Sequence, residues 1–221
     1  MGKPSSLNQN GSKIPMVLIV LGILAAVYTI FKKNSELPVL GPKDFSSELV
    51  DISLQKNGAP HRVANFELIN QNGEIITQED YADKIYVTDF FFTRCPSICP
   101  IMTNHMAQLQ EIFRDTPDVM FLSISVTPEM DSISVLKQYA LRNGVMDSKW
   151  NITTGNKALI YNLARKSYFA TVDYGDGGLQ DFIHTPNFVL VDQSNQIRGV
   201  YDGTNKDEIH KLIEAIKTLT K

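Results

Sequence analysis

The longest apolar run of the chain lies close to its N-terminus. Residues 14–31 contain no charged side chain, and Lys13 on one side and Lys32 and Lys33 on the other border them. As a helix, these residues would span about 27 Å, close to the roughly 30 Å hydrocarbon core of a bilayer. The pattern predicts a retained transmembrane anchor over 14–31 behind a tail over 1–13. A cleaved signal peptide and a buried core helix are the alternatives.

A segment rich in proline, glycine and serine follows the apolar run. It covers residues 32–60 and contains Pro38, Pro42 and Pro60. This composition is typical of a tether between an anchor and a folded domain, here with one short strand over 47–53.

From residue 61 to residue 221, apolar positions alternate between strand and helix spacing. Nearly continuous apolar residues over 84–92 are typical of a strand that is covered on both faces. The other predicted elements are, in order, a β-hairpin over 63–77 that turns at Gly73, a helix from Pro100 to Arg114, a strand over 119–126, a helix that Asp131 caps and Gly144 ends, a helix over 156–166, a hairpin of strands over 188–192 and 196–201, and a last helix that Thr204 caps. This order predicts a three-layer α/β sandwich with an N-terminal hairpin. The glycine-rich residues 171–183 are predicted to form a mobile loop.

Composition and charge exclude several classes of protein. The chain has 221 residues, of which 43% are hydrophobic and 20% charged, as in ordinary globular proteins. Its net charge of −3 argues against a nucleic-acid partner. All 24 acidic residues and 17 of the 21 basic ones follow residue 33, so that part carries −7. Two cysteines are too few for a disulfide-stapled scaffold or an all-thiolate zinc site.

Both cysteines lie in one short segment, CPSICP, directly after the predicted buried strand. If Pro100 begins the helix, Cys99 is its N-cap, and both sulfurs face a helix N-terminus, which favours thiolate over thiol. Three interpretations remain open. The pair is structural, or it is a thiol–disulfide oxidoreductase site with an unusual spacing of three residues, or it is a metal site that needs further ligands.

The four histidines are candidate third ligands. His210 is expected on the polar face of the last helix, His61 is expected to be exposed in the tether, and His105 lies too far along its helix to meet both sulfurs. His184 precedes Thr185-Pro186 and a predicted strand. In a thioredoxin-like fold, that loop packs against the start of the first helix, and a Thr-Pro pair there is commonly the cis-proline facing the cysteines.

Cys95, Cys99 and His184 would then converge as two sulfurs and one nitrogen. This donor set suits copper, since Cu(I) favours thiolates and Cu(II) also accepts imidazole. Zinc would need a fourth ligand, for which the nearby candidates are Asp173, Asp176 and Asp181.

Several stretches together resemble the Sco/SenC family. They are DFFFTRCPSICPIMTNHM over 89–106, SVTPEMDS over 125–132, Trp150 with the Thr-Gly pair that follows it, and His184. Members of that family are membrane-anchored, thioredoxin-like copper-binding proteins implicated in metallating the dinuclear copper centre of cytochrome c oxidase. The resemblance implies that Cys95, Cys99 and His184 bind copper. It also implies a domain facing the bacterial periplasm or, in eukaryotes, the mitochondrial intermembrane space; the arginine-free leader favours the bacterial inner membrane.

The leading hypothesis is therefore a membrane-anchored copper chaperone. Its expected partners are the copper-bearing subunit of cytochrome c oxidase, other copper carriers or thiol reductants, and the membrane through residues 14–31. The alternative is a thiol–disulfide reductase that acts on the cysteines of the oxidase subunit, so enzymatic activity stays an open question. A tethered binding module with an incidental disulfide is a third possibility.

Overall fold

The computed structural model describes residues 18–24, 37–46, 50, 61–171 and 183–221. The chain divides into two units, one that ends at Glu36 and one that begins at Leu37. In the first unit, residues 18–24 are helical and their side chains are exposed. Within the described ranges, no helix has the length and apolarity needed to cross a bilayer. The rest of the predicted anchor over 14–31, and the tail over 1–13, lie outside those ranges.

The second unit is built on one seven-stranded mixed sheet. Its strands are β1 (Glu67–Asn70), β2 (Ile75–Thr77), β3 (Ile85–Phe91), β4 (Val119–Ser125), β5 (Trp150–Thr154), β6 (Asn187–Val191) and β7 (Ile197–Asp202). They lie in the order β2-β1-β5-β4-β3-β6-β7. The three central strands β3, β4 and β5 are parallel, and both outer pairs are antiparallel hairpins.

Helices cover both faces of this sheet. They are α1 (Ile98–Ile112), α2 (Ile133–Arg142), α3 (Lys157–Asn162) and α4 (Lys206–Leu219), and a π-helical turn (Leu163–Ser167) continues α3. Alternate residues of β3 serve two separate cores: Val87 packs with α1, α2 and α4, and Phe90 packs with α3. Two cores, one on each face of a buried sheet, confirm the predicted three-layer sandwich and hairpins.

The first helix begins earlier than predicted. Ser97 is its N-cap, Cys99 is its second residue and Pro100 its third, so the prediction of Cys99 as N-cap was wrong. The first four N–H groups of a helix have no partner within the helix, so a proline costs little at any of these positions. Sequence alone therefore does not choose among them.

Two other caps and one strand also differ from the prediction. Ser132 rather than Asp131 precedes α2, and Asn205 rather than Thr204 caps α4 by accepting from the N–H of Asp207. The polar segment WNITT was not predicted to be a strand, but it forms β5 and is wholly buried. Thr153 Oγ1 donates to the carbonyl of Ser123 in β4 (3.0 Å), which satisfies a hydroxyl inside the sheet.

Two further predictions fall largely outside the described residues. Of the strand predicted over 47–53, only Val50 is described, and it is buried. Of the predicted mobile loop over 171–183, residues 172–182 are outside the described ranges.

Candidate metal centre

The two cysteines lie where the central strand β3 passes into α1. The N–H of Cys95 donates to the carbonyl of Phe92 (3.3 Å), which makes a tight turn after the strand. Cys95 and Cys99 are 6% and 3% exposed, and no disulfide joins them. The N–H of Cys99, in the first turn of α1, donates to Cys95 Sγ (3.4 Å). The predicted placement of the sulfurs at a helix N-terminus is therefore confirmed.

The two sulfurs differ strongly in acidity. Burial raises the pKa of Cys95, but hydrogen bonds from Cys99 and Ser97 outweigh it and bring that pKa to about 6. Burial also raises the pKa of Cys99, to about 12, and the neighbouring sulfur of Cys95 adds to the rise. The pair is therefore biased toward a thiolate at Cys95 and a protonated thiol at Cys99. The thiolate is the form that attacks disulfides and binds soft metals.

His184 lies at the same edge of the sheet as this pair. It precedes β6, which runs antiparallel to β3, so the start of β6 meets the end of β3. The centroid of its exposed ring lies 6.3 Å from that of Phe92, the residue whose carbonyl holds Cys95. The Thr185–Pro186 peptide bond is trans, as are all those of the described residues.

The described residues contain no group of three His, Cys, Asp or Glu side chains close enough to hold a metal ion. The ligand set of Cys95, Cys99 and His184 therefore stays a prediction. What the fold supplies is a thiol pair and, on a neighbouring loop, an exposed imidazole.

The other three histidines are engaged elsewhere or face solvent. The Nδ1 atom of His105 lies 2.7 Å from the carbonyl oxygen of Gly203, and the ring is buried. His61, predicted to be exposed, is half-buried, and its Nε2 lies 2.7 Å from the carbonyl oxygen of Ser167; burial lowers its pKa. His210 is exposed on α4, as predicted.

A buried acid on β3 was not predicted as part of the site. Asp89 lies on the face of β3 that α1 covers, and Ser123 Oγ donates to its Oδ1 (2.5 Å). Trp150 Nε1 in turn donates to Ser123 Oγ (2.9 Å). Burial raises the pKa of Asp89 to about 7. The available signal was a single acidic residue inside a strand whose other residues, apart from Thr88, are apolar or aromatic.

A cleft of about 230 Å³ opens beside the first sulfur. Its lining residues are Thr93, Cys95, Pro100, Tyr139, Arg142 and Asn143. The cleft gives an approach to Cys95 from the side of α2.

Comparison with known proteins identifies the family. The SCO1/SenC family model matches residues 55–221. The chain belongs to the SCO1/SenC family. It is 32% identical over 165 residues to the SCO1 protein homolog of Bacillus subtilis, a match that covers 74% of this chain and 85% of that one.

Solved Sco structures share the fold. BsSco, described as a member of the Sco family of cytochrome c oxidase assembly proteins with a disulfide switch, is 31% identical; the TM-score is 0.62, with 73% of this chain and 94% of that one covered. Yeast Sco1 with copper bound is 26% identical with a TM-score of 0.54, covering 72% and 90%. These neighbours confirm the predicted thioredoxin-like α/β fold.

Proposed function

We propose that this Sco protein is a copper chaperone that carries one copper ion on Cys95, Cys99 and His184. The observation that carries the proposal is the buried cysteine pair at the start of α1, in which the Cys99 N–H donates to Cys95 Sγ, with an exposed imidazole on the loop that the sheet brings to the same edge. Two sulfurs and one nitrogen match the ligand preferences of Cu(I) and Cu(II). A yeast relative of the same fold was solved with copper bound, which supports this choice of metal.

The unequal sulfurs fit loading and release of a metal cargo. Cys95 is ready to bind as a thiolate, whereas Cys99 must lose its proton when the ion arrives. His184 is exposed and stands on a loop, so it can complete the site or leave it while the cysteines keep their positions. A third ligand of this kind allows transfer to an acceptor by stepwise ligand exchange.

The acceptor we propose is the dinuclear copper site in the copper-bearing subunit of cytochrome c oxidase. The description of BsSco as an oxidase assembly protein supports this assignment. Residues 14–31 would anchor the protein as a single span in the bacterial inner membrane, with the domain facing the periplasm. Other copper carriers would load the site, and thiol reductants would keep the two cysteines reduced.

A second function, reduction of a disulfide in the oxidase subunit, is favoured by the lowered pKa of Cys95 and the cleft beside it. The Cys95 thiolate would attack one sulfur of the substrate disulfide, and the other sulfur would leave as a thiolate. Cys99, after losing its proton, would then attack Cys95 and release the second substrate thiolate. The substrate gains two electrons, and the Cys95–Cys99 disulfide that forms needs an external thiol reductant.

Two assays of the full-length protein in detergent, copper titration and turnover of a protein disulfide, separate the two functions. His184→Ala is expected to weaken copper binding and change the Cu(II) absorption spectrum. The matched control is His210→Ala, which removes an exposed imidazole from α4. If His184→Ala binds copper with unchanged affinity and spectrum, the three-ligand site is refuted. Turnover of a protein disulfide that needs both cysteines and ignores His184 would favour the reductase.

A further inference from the structure

The carboxylate of Asp131 joins the ends of two neighbouring strands. Its side chain is 0% exposed and accepts four hydrogen bonds. Two come from Thr93, just beyond β3: Oγ1 donates to Oδ1 (2.6 Å) and the backbone N–H donates to Oδ2 (3.2 Å). The other two come from the hydroxyls of Ser125 (2.6 Å) and Thr127 (3.0 Å), at the end of β4.

Thr93 lies inside the turn that carries the first sulfur. The hydrogen bond from the Cys95 N–H to the Phe92 carbonyl closes a four-residue turn in which Thr93 is the second residue. Phe92, the first residue of that turn, is the one whose ring approaches His184. Asp131 therefore holds in place a turn that contains one predicted copper ligand, Cys95. The first residue of that turn, Phe92, contacts another predicted ligand, His184.

These contacts are not those of a helix cap. Although Asp131 directly precedes the N-cap of α2, its four hydrogen bonds reach the ends of β3 and β4. A buried carboxyl group is costly unless hydrogen-bond donors satisfy it. The four donors that offset this cost lie where the Phe92–Cys95 turn leaves the sheet.

We propose that Asp131 is a positioning residue for the copper site, which holds the Phe92–Cys95 turn in the geometry that presents Cys95 to the metal. The proposal rests on the copper-binding function proposed above. Loss of groups that orient metal ligands typically lowers metal affinity about 10- to 100-fold. We expect a loss in that range for Asp131→Ala. We expect a smaller one for Asp131→Asn, since Asn keeps an oxygen for the Thr93 hydroxyl but offers an N–H where the Thr93 amide donates.

The test uses the full-length protein in detergent and two measurements. Amide hydrogen exchange of the metal-free protein reports the turn directly, and competition with a chromophoric chelator reports Cu(I) affinity. The matched control is Asp192→Asn, which changes another buried aspartate that ties its own turn, through the N–H groups of Ser194 and Gln196, at the opposite end of β6. Thr93→Val removes a single donor to Asp131 and is the variant to use if Asp131→Ala does not fold.

The expected result is faster exchange over 93–99 and weaker Cu(I) binding in Asp131→Ala, partial recovery of both in Asp131→Asn, and neither effect in Asp192→Asn. Thr93→Val should show the same two effects to a lesser degree. The proposal is overturned if Asp131→Ala, or Thr93→Val where the former is unfolded, keeps wild-type exchange and affinity. If the wild type itself does not bind Cu(I), the proposed function fails, and the exchange measurement alone decides whether Asp131 holds the turn.

Discussion

Replacing Asp89 by Asn should change how the stability of the reduced, metal-free protein depends on pH. The pKa of Asp89 is about 7 in the folded protein against a reference value of 3.8, because burial disfavours its charge. Between these values the folded state holds a proton that the unfolded state has released. The contribution of Asp89 to the free energy of unfolding is therefore greatest below the pKa of the unfolded state and is lost as pH rises toward 7.

The magnitude follows from the shift. Each pKa unit corresponds to about 1.4 kcal/mol, so a rise of about three units costs on the order of 4 kcal/mol between pH 4 and pH 8. Asn has no proton to lose and removes this contribution. Urea unfolding at several pH values in that range, with a thiol reductant present, should give a wild-type free energy of unfolding that falls relative to that of Asp89→Asn.

Taking the difference between wild type and Asp89→Asn removes the titrations that they share, including that of Cys95. The expected slope of the difference is about −1.4 kcal/mol per pH unit between the two pKa values. A difference that stays constant across the whole range would refute the assignment of Asp89 as a buried, protonated acid. A slope of the opposite sign would mean that its charged form is the stabilised one.

Two other substitutions test the framework around the site. His105→Ala should cost about 1–3 kcal/mol in urea unfolding, since it leaves the buried carbonyl of Gly203 without its partner, yet it should leave copper affinity unchanged. Equal losses of affinity in His105→Ala and His184→Ala would contradict the choice of ligand. Gly203→Ala should cost about 1–3 kcal/mol, because an added Cβ would lie 2.8 Å from the Phe188 ring and 2.9 Å from the Pro186 carbonyl oxygen. Gly155→Ala should cost less, because its added Cβ would lie 3.1 Å from the end of the Leu68 side chain and no closer than 3.8 Å to backbone atoms; equal costs would contradict the steric argument.

The position of the two sulfurs, at a helix N-terminus on the edge of the sheet, could be predicted from the sequence because the relevant signals are local. An apolar strand over 84–92 followed at once by CPSICP places both cysteines at a sheet edge, whichever residue begins the helix. The first residue of α1 was harder to predict from the sequence, since proline is tolerated throughout the first helical turn. His184 was placed by topology: a strand antiparallel to β3 brings its own beginning to the end of β3.

The features that the sequence did not reveal depend on long-range contacts. The segment WNITT offers only four alternating positions, Trp150 to Thr153, and carries three polar residues that a buried strand must accommodate. Asn151 finds its partner across the fold, since its Nδ2 donates to the Tyr81 hydroxyl (2.9 Å). Asp131 stands at the position of a helix cap, and only the folded chain turns its carboxylate toward Thr93. Sequence-based reasoning assigns such residues to their neighbours along the chain, whereas tertiary structure gives them other partners.

Residues 37–40 lie along the edge of the sheet that β7 forms. Strand β7 is outermost, and the N–H of Leu40 donates to the carbonyl of Ile197 at its start (2.8 Å). The guanidinium of Arg198 donates to the carbonyls of Leu37 (2.5 Å) and Pro38 (3.0 Å). Unpaired strand edges invite pairing with other chains. A shortened protein that begins at residue 61 would therefore expose a self-association surface that one beginning at residue 37 keeps protected.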